Sequence, residues 1–145
     1  MLTDLISAKP EDAEVILRTS GHATTWPTLE AKTVDQIKLT SLAFLLQGKP
    51  LDGPDFNDYV KSFKPLAVGG DDGPWIDQLP EGLVRDLAAL PDDRIPALAS
   101  AWAATEEAIL DRWDANDVVP FLKELASFAG AALAQERGLL LWYCL

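Results

Sequence analysis

Gly138-Leu139-Leu140-Leu141-Trp142-Tyr143-Cys144-Leu145 is the stretch on which the fold class turns. Seven apolar residues follow a glycine, with no charge among them. A run that short, placed after a helix stop and carrying aromatic residues, reads as a strand buried on both faces rather than as another helix. A buried strand needs a partner. The other short apolar run is Leu5-Ile6-Ser7-Ala8, ahead of Pro10, which reads as a strand or as the first turn of a ragged helix. Together they predict a small sheet formed by the N- and C-terminal strands. The rest reads as about five to six helices, so the expected class is α+β, mainly helical, with an all-α fold as the alternative.

Between these runs the period is helical. Pro10 opens a helix, because proline at the first position loses no hydrogen bond, and Glu11, Asp12 and Glu14 sit at its positive end. Ala13, Ile16 and Leu17 form its buried stripe, and Gly21 is the expected C-cap. Residues 21–32 read as a loop around Trp26-Pro27. Thr33 with Gln36 three residues on makes a capping box. Val34, Ile37, Leu39, Leu42, Phe44, Leu45 and Leu46 leave little of the next helix polar, which predicts a central helix ending at Gly48 and Pro50. Residues 49–80 are rich in proline and glycine, so turns dominate there, with one short helix over Asp55 to Ser62. Leu83, Val84, Leu87 and Leu90 mark a helix over about 80–90. Ile95, Leu98, Ala99, Trp102, Ile109 and Trp113 mark one over about 93–113. Asn116 or Asp117 is the expected cap of a last helix with Val118, Phe121, Leu122, Leu125, Ala129 and Ala132 on its core side.

The order of elements resembles that of the YfbM-like family of uncharacterised bacterial proteins. Leu42, Leu45, Leu46 and Gly48 carry the likeness, then Leu79-Pro80-Glu81 with Val84 and Leu90, then the layout of Phe121 to Leu145. That family's helix usually carries a Trp and a His where this chain has Leu39 and Ala43. The resemblance implies a mainly helical fold with a small sheet, and no activity.

Composition narrows the function. The chain has 145 residues, the size of one domain (1–145), and 48% of them are apolar, enough to fill one core. Its net charge is −11. A surface this negative repels phosphate backbones and anionic lipid heads, so neither nucleic acid nor membrane is an expected partner; a basic protein is. One cysteine, Cys144, cannot form an internal disulfide, and no cofactor or metal is expected. No secretory signal pattern and no apolar span is visible, which makes the cytoplasm the expected compartment.

Few residues suggest chemistry. Glu106 falls on the stripe of Trp102 and Ile109, where a carboxylate would be desolvated. It would line a pocket, or pair with an arginine, or turn outward at a helix end. His22 lies in a Gly-Ser-Thr loop with no acid at helical spacing, which favours an exposed side chain. Asp52, Asp55 and Asp58 lack the alternation of a calcium loop, and Asp55 reads better as a helix cap. No phosphate loop, dinucleotide fingerprint, HExxH or nucleophile elbow is present. Trp75 stands beside the Asp71-Asp72 turn, an aromatic anchor next to negative charge. That patch and a second acidic surface, with Glu107, Asp111 and Asp114, hold the expected partner-binding residues. Three roles follow: a non-catalytic acidic binding protein, concretely an immunity protein neutralising a basic bacterial toxin; a small-ligand protein or enzyme with a pocket near Glu106; or a homodimeric structural module.

Overall fold

The computed structural model describes residues 1–145 and is a mixed α+β fold in which helices predominate. Gly138–Cys144 (β5) pairs antiparallel with Leu2–Ala8 (β1) over seven registered positions, from Leu2↔Cys144 to Ala8↔Gly138. The two terminal runs are therefore strands and neighbours. The sheet is larger than expected, with five antiparallel strands in the order β2-β1-β5-β4-β3. The additional strands are Thr28–Lys32 (β2), Lys64–Gly70 (β3) and Gly73–Gln78 (β4). The central position of β5 explains its composition: Leu139, Leu140 and Leu141 are all fully buried, because both faces of the sheet are covered.

β3 and β4 replace the turn-dominated region expected over 49–80. Asp71-Asp72 is the two-residue connection of a hairpin closed by the Gly70↔Gly73 pair. Glycine is required there. Gly73 takes φ +93°, and a Cβ on it would lie 2.9 Å from the Trp75 ring. A Cβ on Gly69 would lie 2.6 Å from the Pro74 carbonyl oxygen. The glycines that suggested a loop are the ones that let two strands approach.

The two faces of the sheet are unequal. On one, Leu5, Leu139 and Leu141 join a core of 25 buried residues built with the helices. On the other, Ile6, Ala8, Ala67, Ile76 and Leu140 pack under Ala13 and Ile16 of Ala13–Arg18 (α1), a cluster of seven buried residues. The central helix, Gln36–Gln47 (α2), is buried all round from Lys38 to Phe44, as its composition predicts. Its N-cap is Asp35, whose carboxylate accepts from the Lys38 N–H, and not Thr33. Gly48 ends it at φ +67°. Pro54–Val60 (α3) begins after Gly53, with Asp55 in the first turn rather than as a cap.

Glu81–Ala88 (α4) and Ile95–Ala103 (α5) pack against the long Ala115–Ala134 (α7), which carries Val118, Leu122, Leu125, Ala129 and Ala132 on its buried side. The continuous helix expected over 93–113 is broken. Thr105 turns extended (φ −67°, ψ 152°), and a separate five-residue helix, Glu106–Leu110 (α6), follows. With the break the stripe rotates: Ile109 and Glu106 face solvent, and Ala108 is the buried residue. Seven α-helices result. No helix is long and apolar enough to cross a membrane.

Candidate functional site

The break that frees α6 also builds a cleft. After Leu110 the chain reverses through Arg112 at φ +58°, and Asp114 then caps α7 by accepting from the Asn116 N–H. Across the gap β2 ends at Lys32, at φ +52°. Only three non-glycine residues adopt the left-handed region, and two of them line this one cleft. Such backbone strain costs on the order of 1 kcal/mol per residue and persists where surrounding structure enforces it. The cleft encloses about 370 Å³. Trp113 and Phe121 supply apolar wall; Glu30, Asp111, Asp114 and Asp117 supply carboxylates, and Lys32 and Arg112 supply two cations.

Beneath it lies a buried lysine. The Lys38 ammonium, 3% exposed, is held by the Asp111 carboxylate and by the Thr33 carbonyl at 2.8 Å, with the Trp113 ring centroid 5.4 Å away. The Trp113 indole N–H donates to Thr33 Oγ1 (3.2 Å), and the fully buried Trp102 donates its indole N–H to the Lys38 carbonyl (2.9 Å). The two indoles meet edge to face at 4.8 Å. Every polar group of this floor has a partner, so its shape is defined.

The expected partner-binding residues divide. Asp111 and Asp114 line the cleft, and Glu107 stands half-buried on α6 beside it. Asp111 differs from its expected role: its charge is engaged by Lys38 rather than free for a partner. Trp75, Asp71 and Asp72 lie elsewhere. Trp75 is half-buried, its ring 5.3 Å from that of Tyr143, and the two aspartates are exposed at the hairpin tip. The register runs Trp75↔Tyr143↔Thr3↔Lys32, which puts the tryptophan roughly 14 Å from the cleft, three strand spacings away. Hairpin and α6 acids therefore do not form one patch. Glu106 is exposed and absent from the cleft lining: of the three expectations for it, the pocket and the arginine pair are not met, and the outward turn at a helix end is, because the break at Thr105 makes Glu106 the first residue of α6.

Two further polar sites had no signal in local spacing. His22 is not exposed: its side chain is 13% accessible, and Nε2 lies 2.7 Å from Asp4 Oδ2. Its ring sits 4.9 Å from that of Trp142. These groups line a second cleft of about 500 Å³ on the opposite face of the sheet. Asp4 stands eighteen residues before His22, and only the pairing of β1 with β5 brings it beside Trp142. An acid on the apolar face of the first strand was the available clue. The other site is Asp77, buried on β4. Its Oδ2 accepts from Gln36 Nε2 (2.8 Å) and from the Tyr143 hydroxyl (3.3 Å), with no cation in contact. Burial, and then the Asp77 charge, push the Tyr143 phenol above its ordinary value. Tyr59 is pushed up to about 12 by burial and by Asp86. Comparison of the chain with protein-family models, with curated proteins and with solved structures gives no match in any of the three.

Proposed function

We propose that the protein is a non-catalytic acidic binding protein that holds a basic protein, concretely a cytoplasmic immunity protein that neutralises a basic bacterial toxin. The observation that carries this reading is the state of the charge. Of 23 carboxylate side chains only Asp4, Asp111 and Glu81 take part in an ion pair, and the first of those pairs is with a histidine. The exterior is negative and uncommitted. Such a field raises the encounter rate with a cationic partner and makes association salt-sensitive.

The contact surface of this reading runs over α6 into the cleft. Ile109 and Leu110 are 61% and 75% exposed, an aliphatic pair on a five-residue helix. Glu106, Glu107, Asp114 and Asp117 flank them in sequence, and none of these acids is ion-paired in the structure. An apolar centre with a charged rim is the usual anatomy of a protein contact. A lysine or arginine of the partner would enter the cleft against Asp114 and Asp117, above the wall of Trp113. Membership of the YfbM-like family, proposed on Leu42, Leu45, Leu46, Gly48 and Leu79-Pro80-Glu81, would add a fold kinship and no activity.

The test is retrieval of a basic protein by the tagged chain from its own cells, followed by exchange of Leu110→Ser and of Asp114→Asn with Asp117→Asn. The aliphatic change should speed dissociation. The charge changes should slow association and flatten its dependence on salt. Recovery of no specific partner at low and at moderate salt would end the proposal.

A further inference from the structure

We infer that the cleft between α1 and the β1–β5 pair binds the oxyanion of a small molecule, a carboxylate or a phosphate ester, whose apolar part lies against Trp142. Its volume of about 500 Å³ is within the range of small-ligand sites. Asp4, Arg18 and His22 are the only charged or titratable side chains that line it. Asp4 comes from β1, Arg18 from the end of α1, and Trp142 and Pro74 from β5 and β4.

The Asp4 carboxylate is turned to His22. A carboxylate only accepts, so the proton on His22 Nε2 points at Oδ2 over the 2.7 Å contact. That bond fixes the imidazole against the Trp142 ring and leaves Nδ1 without a protein partner. Because no fully buried side-chain nitrogen or oxygen of the chain lacks a partner, Nδ1 retains some contact with the cleft's solvent. Arg18 makes no ion pair. What remains uncommitted in the cleft is the Arg18 guanidinium, which pairs two oxygens of a carboxylate or phosphate at once, and the Nδ1 edge of the imidazole, which donates to an oxyanion only when the ring carries a second proton. The backbone N–H groups of Ser20 and Gly21 also have no partner within the protein. Leu17 and Trp142 give the ligand an apolar wall. In a molecule of net charge −11 the Asp4 and Arg18 charges leave this cleft without net charge, and a histidine–aspartate pair fixed beside an indole is an organised arrangement rather than a solvated loop.

The test uses the whole chain and its single histidine, whose ring resonances report on one site. Inorganic phosphate and benzoate are titrated separately. A saturable movement of the His22 ring signals with either is expected; phosphate alone would assign the ligand to phosphate esters, benzoate alone to carboxylates with an apolar body. Arg18→Gln should weaken binding by about tenfold or more, the effect of losing one charge-assisted pair. Lys64→Gln, an exposed cation on β3, should leave it unchanged. His22→Gln keeps a donor towards Asp4 but removes Nδ1, and binding followed by calorimetry should also fall. No saturable response to either probe, or equal effects of Arg18→Gln and Lys64→Gln, would overturn the inference.

Discussion

The two sides of the sheet offer clefts built on opposite principles. On the helical side the cleft floor is a buried lysine locked by a carboxylate, a carbonyl and an indole, and it rests on the larger core. On the other side a histidine and an aspartate meet beside a thin layer of seven buried residues shared between the sheet and a six-residue helix. The first places its ionic pair under the surface and leaves three acids, Glu30, Asp114 and Asp117, beside Lys32 and Arg112 at the rim. The second turns its acid to a histidine and leaves one arginine, Arg18, unpaired. Polar groups of similar chemistry thus have different stability roles, set by how much apolar structure lies behind them.

The comparison breaks most visibly through the core. Trp102→Ala removes the largest fully buried side chain and the donor to the Lys38 carbonyl, and should cost about 4 kcal/mol in urea unfolding. Ile16→Ala on the thin side should cost about 2–3 kcal/mol, because a six-residue helix can settle into the space. Equal losses would mean that the two layers are equally rigid. Within the ionic floor the partners are also unequal. Asp111→Ala strands a 3%-exposed ammonium and should cost about 2–3 kcal/mol, below the full range for a buried pair because Asp111 is 40% exposed. Lys38→Met frees Asp111 to water and should cost about 1 kcal/mol or less. The order of those two values is what the urea midpoints would check.

The alkaline limb of stability sharpens the picture further. Both tyrosines of the chain, Tyr59 and Tyr143, have phenols pushed above the ordinary 10 by burial first. The unfolded chain then releases these protons at a lower pH than the folded chain, so it binds fewer protons above pH 10 and stability falls as pH rises from there towards about 12. Tyr59 is only about half buried, so solvent screening holds its share to about 1 kcal/mol. Phenolate absorbance of the folded protein should rise later than in urea. Asp77→Asn should bring the Tyr143 part of that rise to lower pH, since it removes a carboxylate that opposes ionisation.

How much of this was legible follows from where each signal resides. Leu139 to Leu145 mark a buried strand through local composition, and the central helix is marked by Leu39, Leu42 and Phe44, which leave little of it polar. The hairpin was hidden because Gly69 and Gly73 mean a turn when read locally and a close strand approach when Pro74 and Trp75 are in place. β2 was hidden because Thr28-Leu29-Glu30-Ala31-Lys32 has too little apolar alternation to stand out from a loop. Glu106 was misplaced by a periodicity carried through Thr105, a residue whose hydroxyl instead bonds back to the Trp102 carbonyl at the end of α5. The Lys38–Asp111 and His22–Asp4 pairs join residues 73 and 18 apart, and no spacing rule reaches across such separations.

The smallest expected effect separates stability from function on the thin side. His22→Gln can keep a bond to Asp4 with a neutral donor, and both members of the pair are partly accessible, so the cost to folding should be about 0.5 kcal/mol. Asp4→Ala should cost slightly more, because Asp4 is set in the sheet opposite Trp142 and the imidazole would lose the bond that orients it. If either change approaches the loss set for Asp111→Ala, the His22–Asp4 pair is a structural support of the same kind as the buried lysine. If both stay near the noise of urea unfolding while ligand binding falls tenfold, the pair holds its geometry for a bound molecule and not for the fold.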